Sequence, residues 1–131
     1  MFIALRSSLR PPTHAPFFVD EAASVEALRA GRAYRPGDVV FRFEDAERRS
    51  QRDRHTVEHP SGGHLFHPDL ARATHGCEPN CCVSFPNDAL VAIRAIAPGE
   101  AITFDYQTTE SWFSHPFWCL CGARRCRGRI G

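Results

Sequence analysis

The sequence predicts a mainly β fold in one domain, on three observations. Apolar residues come in short runs of about four to eight, the length of strands. Turn residues separate those runs at close intervals, and only one stretch carries a helical pattern. The chain has 131 residues, which suits a single domain, and its 43% hydrophobic content supports a globular core without internal repeats.

The elements follow in order. "FIALRSS", residues 2–8, reads as a first strand. "RPPTHAPFF" is punctuated by prolines and cannot be helical throughout. "DEAASVEALRAG", residues 20–31, carries the helical pattern: Asp20 is placed to cap, Val25 and Leu28 are three apart, and Gly31 can end it. "PGDVVFRFE" predicts a turn and then a strand, with Val39, Phe41 and Phe43 on one face and Val40 and Arg42 on the other. Residues 44–63 are polar and charged and read as a solvated excursion. "CVSF", the turn "PND" and "ALVAIRAI" predict a hairpin, and "APGE" turns into a further strand, "AITFDY". The tail from Gln107 to Gly131 is aromatic, then cysteine-rich, then basic.

Composition narrows the function. A formal charge of +1 attracts neither nucleic acid nor an anionic membrane in bulk. No apolar run approaches the roughly 20 residues that cross a bilayer, and the N-terminus lacks the order of a secretory signal. The expectation is a cytoplasmic chain with no direct nucleic-acid or membrane partner. In such a compartment six cysteines point to metal binding or redox chemistry rather than disulfides.

Cys119, Cys121 and Cys126 have the spacing C-x-C-x4-C, and Gly122 permits the tight turn that brings the third thiol round. Structural zinc takes four ligands in a tetrahedron, so a fourth must come from elsewhere. "THGCEPNC", residues 74–81, and the residue after it offer Cys77, Cys81 or Cys82. Structural zinc contributes roughly 10–16 kcal/mol of apparent binding energy in small peptides, and a fraction of that would order a tail with almost no core. His64 and His67 form an H-x-x-H pair, which outside a convincing helix is weak evidence for a second metal.

Three stretches carry a family resemblance: "THGCEPNC", "PGEAITFDY" and "CLCGARRCRG". In content, order and spacing they resemble the SET-domain lysine methyltransferases. Those proteins have an Asn-His-Ser-Cys-x-Pro-Asn motif, a Gly-Glu-Glu-Leu-Thr-Phe-Asp-Tyr strand and a post-SET segment, Cys-x-Cys-Gly-x-x-x-Cys-Arg-Gly. "RAYRPGDVVFRFE" is similar to an early strand of the family and adds weaker support. The resemblance implies a SET-domain fold of small curved β-sheets with a C-terminal pseudo-knot. It divides the chain into a SET domain, residues 1–118, and a zinc-bound post-SET tail, residues 119–131. It makes Cys77, Cys119, Cys121 and Cys126 the ligands of a structural zinc ion and leaves Cys81 and Cys82 free. The tail then closes one side of a pocket for S-adenosyl-L-methionine, and the acceptor is a lysine side chain of a protein or peptide.

Methyl transfer to an amine is an in-line displacement in which the cofactor supplies the reactivity and the protein supplies alignment. The resemblance makes Tyr106, at the end of "TFDY", the catalytic residue that orients the amine. Phe104 occupies a position where the family switches between phenylalanine and tyrosine. Without a second hydroxyl there, the prediction is methylation beyond the first step. His75 is expected beside the cofactor, with Thr74 in the place of the usual asparagine and Gly76 in the place of serine. Ile130 is expected against the adenine. Phe117 and Trp118 are expected at the cofactor cover, and Trp112 and Phe113 are further candidates for the channel wall. Where the family has Gly-x-Gly this chain aligns Val25-Glu26-Ala27, so Ala27 is the expected cofactor contact, unless the stretch is a helix and the loop is rebuilt.

All sixteen basic residues are arginine, which fits either a GC-rich genome or avoidance of self-modification by a lysine-modifying enzyme. Two other readings fit the same residues. One is S-adenosylmethionine chemistry on a small molecule or short peptide; the other is a zinc-stabilised binding module without catalysis.

Overall fold

The computed structural model describes residues 15–20 and 27–131. The expected first strand at residues 2–8 lies outside them. The described residues form short strands gathered into small sheets, with one short α-helix. This is the mainly β architecture that the sequence predicts.

The central sheet joins β3 (Val39–Arg42), β8 (Cys81–Ser84) and β9 (Ala89–Ala92) in the order β3-β9-β8, all antiparallel. β8 and β9 are the predicted hairpin; Asp88 makes its turn with φ 47°. The alternation expected along β3 is broken, because Val40 and Phe41 are both buried. The cause is a register shift against β9 between Val39 and Phe41, a bulge that turns two successive side chains inward.

β1 (Phe17–Asp20) pairs antiparallel with β2 (Ala27–Ala30). This corrects the helix expected over 20–31. Asp20 ends a strand, and its carboxylate accepts from Arg29 Nε at 2.8 Å across the pair. Leu28 and Ala30 are fully buried, and Ala30 and Ile102 donate to Glu100 and Leu28 carbonyls at 2.9 and 2.8 Å. Tertiary pairing therefore outweighs a weak local helical pattern.

The excursion at 44–63 is also corrected. It folds into β4 (Glu47–Arg49) and β5 (Val57–Glu58), which flank β6 (His64–Phe66) in the order β4-β6-β5. Val57 and Leu65 face each other in its register and are buried, so this polar stretch has a small core. A five-residue helix, α1 (Pro68–Arg72), follows; His67 caps it and also reaches Asp45 at 3.1 Å.

β7 (Thr74–His75) pairs parallel with β10 (Thr103–Phe104), and a 3₁₀ turn (Tyr106–Thr108) follows. In the tail, β11 (Phe117–Trp118) pairs with β12 (Arg129–Ile130). Asn80 pins β10 to the head of β8. Its amide donates to the Ala101 carbonyl at 2.7 Å, its oxygen accepts from Thr103 N at 2.9 Å, and it is buried. Truncating it strands a buried donor and a buried acceptor. Asn80→Ala is expected to lower stability by about 2–4 kcal/mol, read as a lowered denaturant midpoint; an unchanged midpoint refutes the role.

Candidate active site and metal centre

The parallel pair β7–β10 sets the site. Phe104 stands opposite His75 in its register. Two residues further along each strand lie Tyr106 and Cys77. The approach is close: a Cβ on Gly76 would stand 3.1 Å from the Thr103 side chain. That is the physical reason a glycine fits where the resembled motif has serine.

His75 is the hub. Its Nδ1 accepts from the Tyr106 backbone N–H at 3.1 Å, so its own proton sits on Nε2, 3.4 Å from Cys77 Sγ. Its ring packs edge-on against Tyr106 and Phe117, with centroids 5.2 and 5.7 Å away. Burial, the largest cause, holds its pKa below the ordinary value against the pull of Asp105, so it is neutral near pH 7.

Tyr106 lies against Phe104, ring centroids 4.9 Å apart, and both line a cavity that opens to solvent. Burial pushes the Tyr106 phenol up to about 12. It is therefore protonated, and it donates to the Ala73 carbonyl at 2.7 Å. Phe113, Trp112, Leu70, Arg52 and Glu110 form the other walls.

On the far side of His75 the four predicted thiols converge. The sulfur atoms of Cys77, Cys119, Cys121 and Cys126 all lie within 4.8 Å of one another. A tetrahedral zinc with arms of about 2.3 Å spaces its ligands about 3.8 Å apart. Cys77 Sγ and Cys119 Sγ are 3.8 Å apart, so the set fits the ion. Gly122 has φ 74°, the turn the spacing requires. Backbone N–H groups of Cys77 and Ala123 draw the Cys121 thiol down, toward the thiolate that binds metal. Burial pushes the Cys119 thiol the other way, and metal would have to displace its proton. Cys81 lies apart in the core, its pKa raised to about 12 chiefly by burial, as befits an inert thiol.

The tail is tied down beside this cluster. Arg127 donates its backbone N–H to Cys77 Sγ at 3.3 Å and its guanidinium to Asp105 at 2.8 Å, one residue before Tyr106. Phe117 pairs with the fully buried Ile130, and the Phe117 ring lies 6.0 Å from Tyr106. Trp118 alternates outward and is 73% exposed. Thr74 sits on β7 opposite Thr103. Ala27 opens β2, one residue from the Leu28 carbonyl that holds Ile102; Val25 and Glu26 lie outside the described residues.

Sequence reasoning missed the ionic group at the cavity wall. Arg52 donates to Glu58 and Glu110 at 2.8 and 2.9 Å, with its side chain only 8% exposed. A charged stretch with four arginines reads as surface, and no signal in it marks which arginine turns inward. Arg127 and Asp105 were each visible as part of a motif, but their pairing across 22 residues was not.

Small β-sheets around an aromatic cavity, flanked by a four-thiol cluster, define a class of small β protein with a cysteine-clustered tail. The SET-domain family model matches residues 26–107, and this chain belongs to that family. Among curated relatives it is 32% identical to histone-lysine N-methyltransferase SUV39H2 of Xenopus tropicalis, over 82% of this chain and 30% of the relative. It is 37% identical to human histone-lysine N-methyltransferase 2B, over 47% of this chain and 2% of that protein. The chain thus spans less than a third of the length of these relatives. Among solved structures it resembles KRYPTONITE in complex with mCHH DNA, an H3(1-15) peptide and SAH. That likeness has a TM-score of 0.59 and 21% identity over 83% of this chain and 28% of that one, and it bears on the fold.

Two outcomes are expected. Titration with Zn²⁺ saturates at one ion per chain, and Cys126→Ser or chelation strips hydrogen-exchange protection from residues 117–130 while sparing β8 and β9; protection that survives chelation refutes the metal role. The Glu58 carboxyl is drawn from 4.5 down to about 2, chiefly by the Ser111 backbone N–H and then by Arg52. Its contribution is full above pH 4.5 and lost as pH falls from there toward 2. Glu58→Gln should therefore flatten the fall of melting temperature across that window.

Proposed function

We propose that this chain is an S-adenosylmethionine-dependent methyltransferase whose acceptor is a lysine side-chain amine of a protein or peptide. The observation that carries the reading is the placement of His75, with the cavity-lining Tyr106 on one side and the four-thiol cluster on the other. Relatives named as histone-lysine methyltransferases and a fold neighbour crystallised with SAH support it.

When bound, the cofactor supplies a methyl group on a sulfonium. The residues present suit such a cation, because the rings of Phe104 and Phe117 lie 4.9 and 6.0 Å from that of Tyr106 and aromatic faces attract positive charge. Phe117, Thr74, Ala27 and the apolar Ile130 are the chain's remaining candidates to hold it, with Trp118 as an outer cover. Cys77, Cys119, Cys121 and Cys126 would hold a structural zinc.

Tyr106 acts as a hydrogen-bonding and orienting group. A phenol with its pKa raised to about 12 is a poor base at neutral pH, so it does not take the amine's proton. The apolar walls do that work indirectly, since desolvation disfavours an ammonium and releases its proton to solvent before transfer. Phe104 carries no hydroxyl beside the amine, which leaves room for a second and third methyl.

Purified protein given methyl-labelled S-adenosylmethionine and lysine-bearing histone peptides should place label on lysine. Tyr106→Phe should cut the rate by about 10²-fold or more. Phe104→Tyr should shift the product toward the monomethyl form by mass spectrometry. Label confined to a low-mass acceptor, or none at all, overturns the reading.

A further inference from the structure

The ionic group at the cavity wall has a geometry that its stability alone does not explain. Arg52 reaches three acceptors: Glu58 Oε1 at 2.8 Å, Glu110 Oε1 at 2.9 Å and the Trp112 carbonyl at 2.6 Å. Its guanidinium carbon also lies 4.4 Å from the centre of the Trp112 ring. The bonds continue around it. Glu58 N donates to Glu110 Oε2 at 2.8 Å, and Ser111 donates to Glu58 from both its backbone N–H and its hydroxyl, at 3.0 and 2.8 Å. Residues 110, 111 and 112 are thus each bonded to Arg52 or Glu58.

This segment has no strand or helix of its own, and Trp112 is 59% exposed. A half-exposed indole without a core beneath it has no hydrophobic reason to stay at the cavity edge. What fixes it is the buried guanidinium. Arg52 Nε is buried with no hydrogen-bond partner among the described residues, which costs stability. Replacing buried ion pairs by apolar residues is often neutral or stabilising, so this group is better accounted for by the geometry it imposes.

We infer that Arg52 is a positioning residue for the methyl acceptor: through Glu58, Glu110 and the Trp112 ring it holds the outer wall of the cavity that Tyr106 and Phe104 close from within. The inference rests on the proposed methyltransferase reading and adds to it what sets acceptor fit. Arginine is required. Only its planar fork can meet two carboxylates and a carbonyl while lying over an aromatic ring. A lysine there would also put a reactive amine in the wall of the acceptor cavity.

The test compares wild type with Arg52→Gln, Trp112→Ala and the double variant, using an array of lysine peptides that includes H3(1-15). Each single variant should raise acceptor KM about tenfold with kcat changed less than about threefold, since a misplaced wall weakens acceptor binding more than chemistry. The affinity for SAH, measured by calorimetry, should not change. The double variant should be no worse than Arg52→Gln alone, because both break one connection. Hydrogen exchange at the Ser111 and Glu58 amides should quicken in Arg52→Gln while Leu90 and Ala92 keep their protection. Trp112→Ala leaves the ionic group whole and guards against misfolding of the first variant. An unchanged acceptor KM in Trp112→Ala, KM and SAH affinity moving together, or an unaltered Ser111 amide each overturns the inference while wild-type activity stands. If wild type methylates no lysine peptide in the array, the methyltransferase reading itself falls and takes the acceptor role with it.

Discussion

The geometry of the site depends on one short parallel pairing, Thr74 with Thr103 and Phe104 with His75. Thr74 N donates to the Ile102 carbonyl at 3.3 Å and Gly76 N to the Phe104 carbonyl at 3.1 Å, and between them they fix where both strands end. One strand runs on into Cys77 and the thiol cluster, the other into Tyr106 and the cavity. Because the strands are parallel, both continuations leave in the same direction and stay side by side. An antiparallel pair would have sent them apart. His75 then needs no reach of its own to touch both, and its two ring nitrogens take opposite roles, acceptor toward Tyr106 and donor toward Cys77. Asn80 reinforces the same registration from the other side of Thr103.

This explains which parts could be read from the sequence. The β8–β9 hairpin was legible because strand, turn and strand are contiguous. The cysteine set was legible because three of its members sit within eight residues and only the fourth needed a motif to identify it. Tyr106 and Phe104 were legible through the motif they end. The pairing of β7 with β10 has a separation of 29 residues, as from Thr74 to Thr103, and no local pattern encodes it. β2 misled for a related reason. Asp20, Val25, Leu28 and Gly31 fit a helix locally, but Leu28 and Ala30 are held by β1 and by the 100–102 segment, which only tertiary contact supplies. The bulge in β3 likewise arises from the partner strand.

The stretch 44–63 shows a different limit. Its polarity and its place at the surface were read correctly; its strands and the inward turn of Arg52 were not. Glu47, Arg48 and Arg49 do face solvent in part, yet Val57 and Leu65 bury a small core and Arg52 turns inward. A buried arginine and an exposed one look the same in sequence, since what separates them is the presence of two carboxylates at 2.8 and 2.9 Å, one of them 58 residues away.

These facts lead to a common construction rule for the cavity. Its floor, Phe104, Leu70 and Val57, belongs to the apolar core and is fixed by burial. Its edges do not. The tail from Cys119 to Gly131 buries only Cys119 and Ile130, and Ser111 and Trp112 are exposed, with only the Glu110 carboxylate turned inward. A domain of this size leaves its periphery short of apolar partners. Both edges are therefore held by directional contacts at a few points: thiols suited to a metal on one side, a guanidinium between carboxylates on the other. Such contacts specify position sharply but add little cooperative stability, because each can open without disturbing the sheets. Under the proposed methyltransferase reading, that combination suits a site that admits a large acceptor and a separate cofactor. The core-anchored floor would keep Tyr106 and Phe104 in register while the edges open without unfolding the rest.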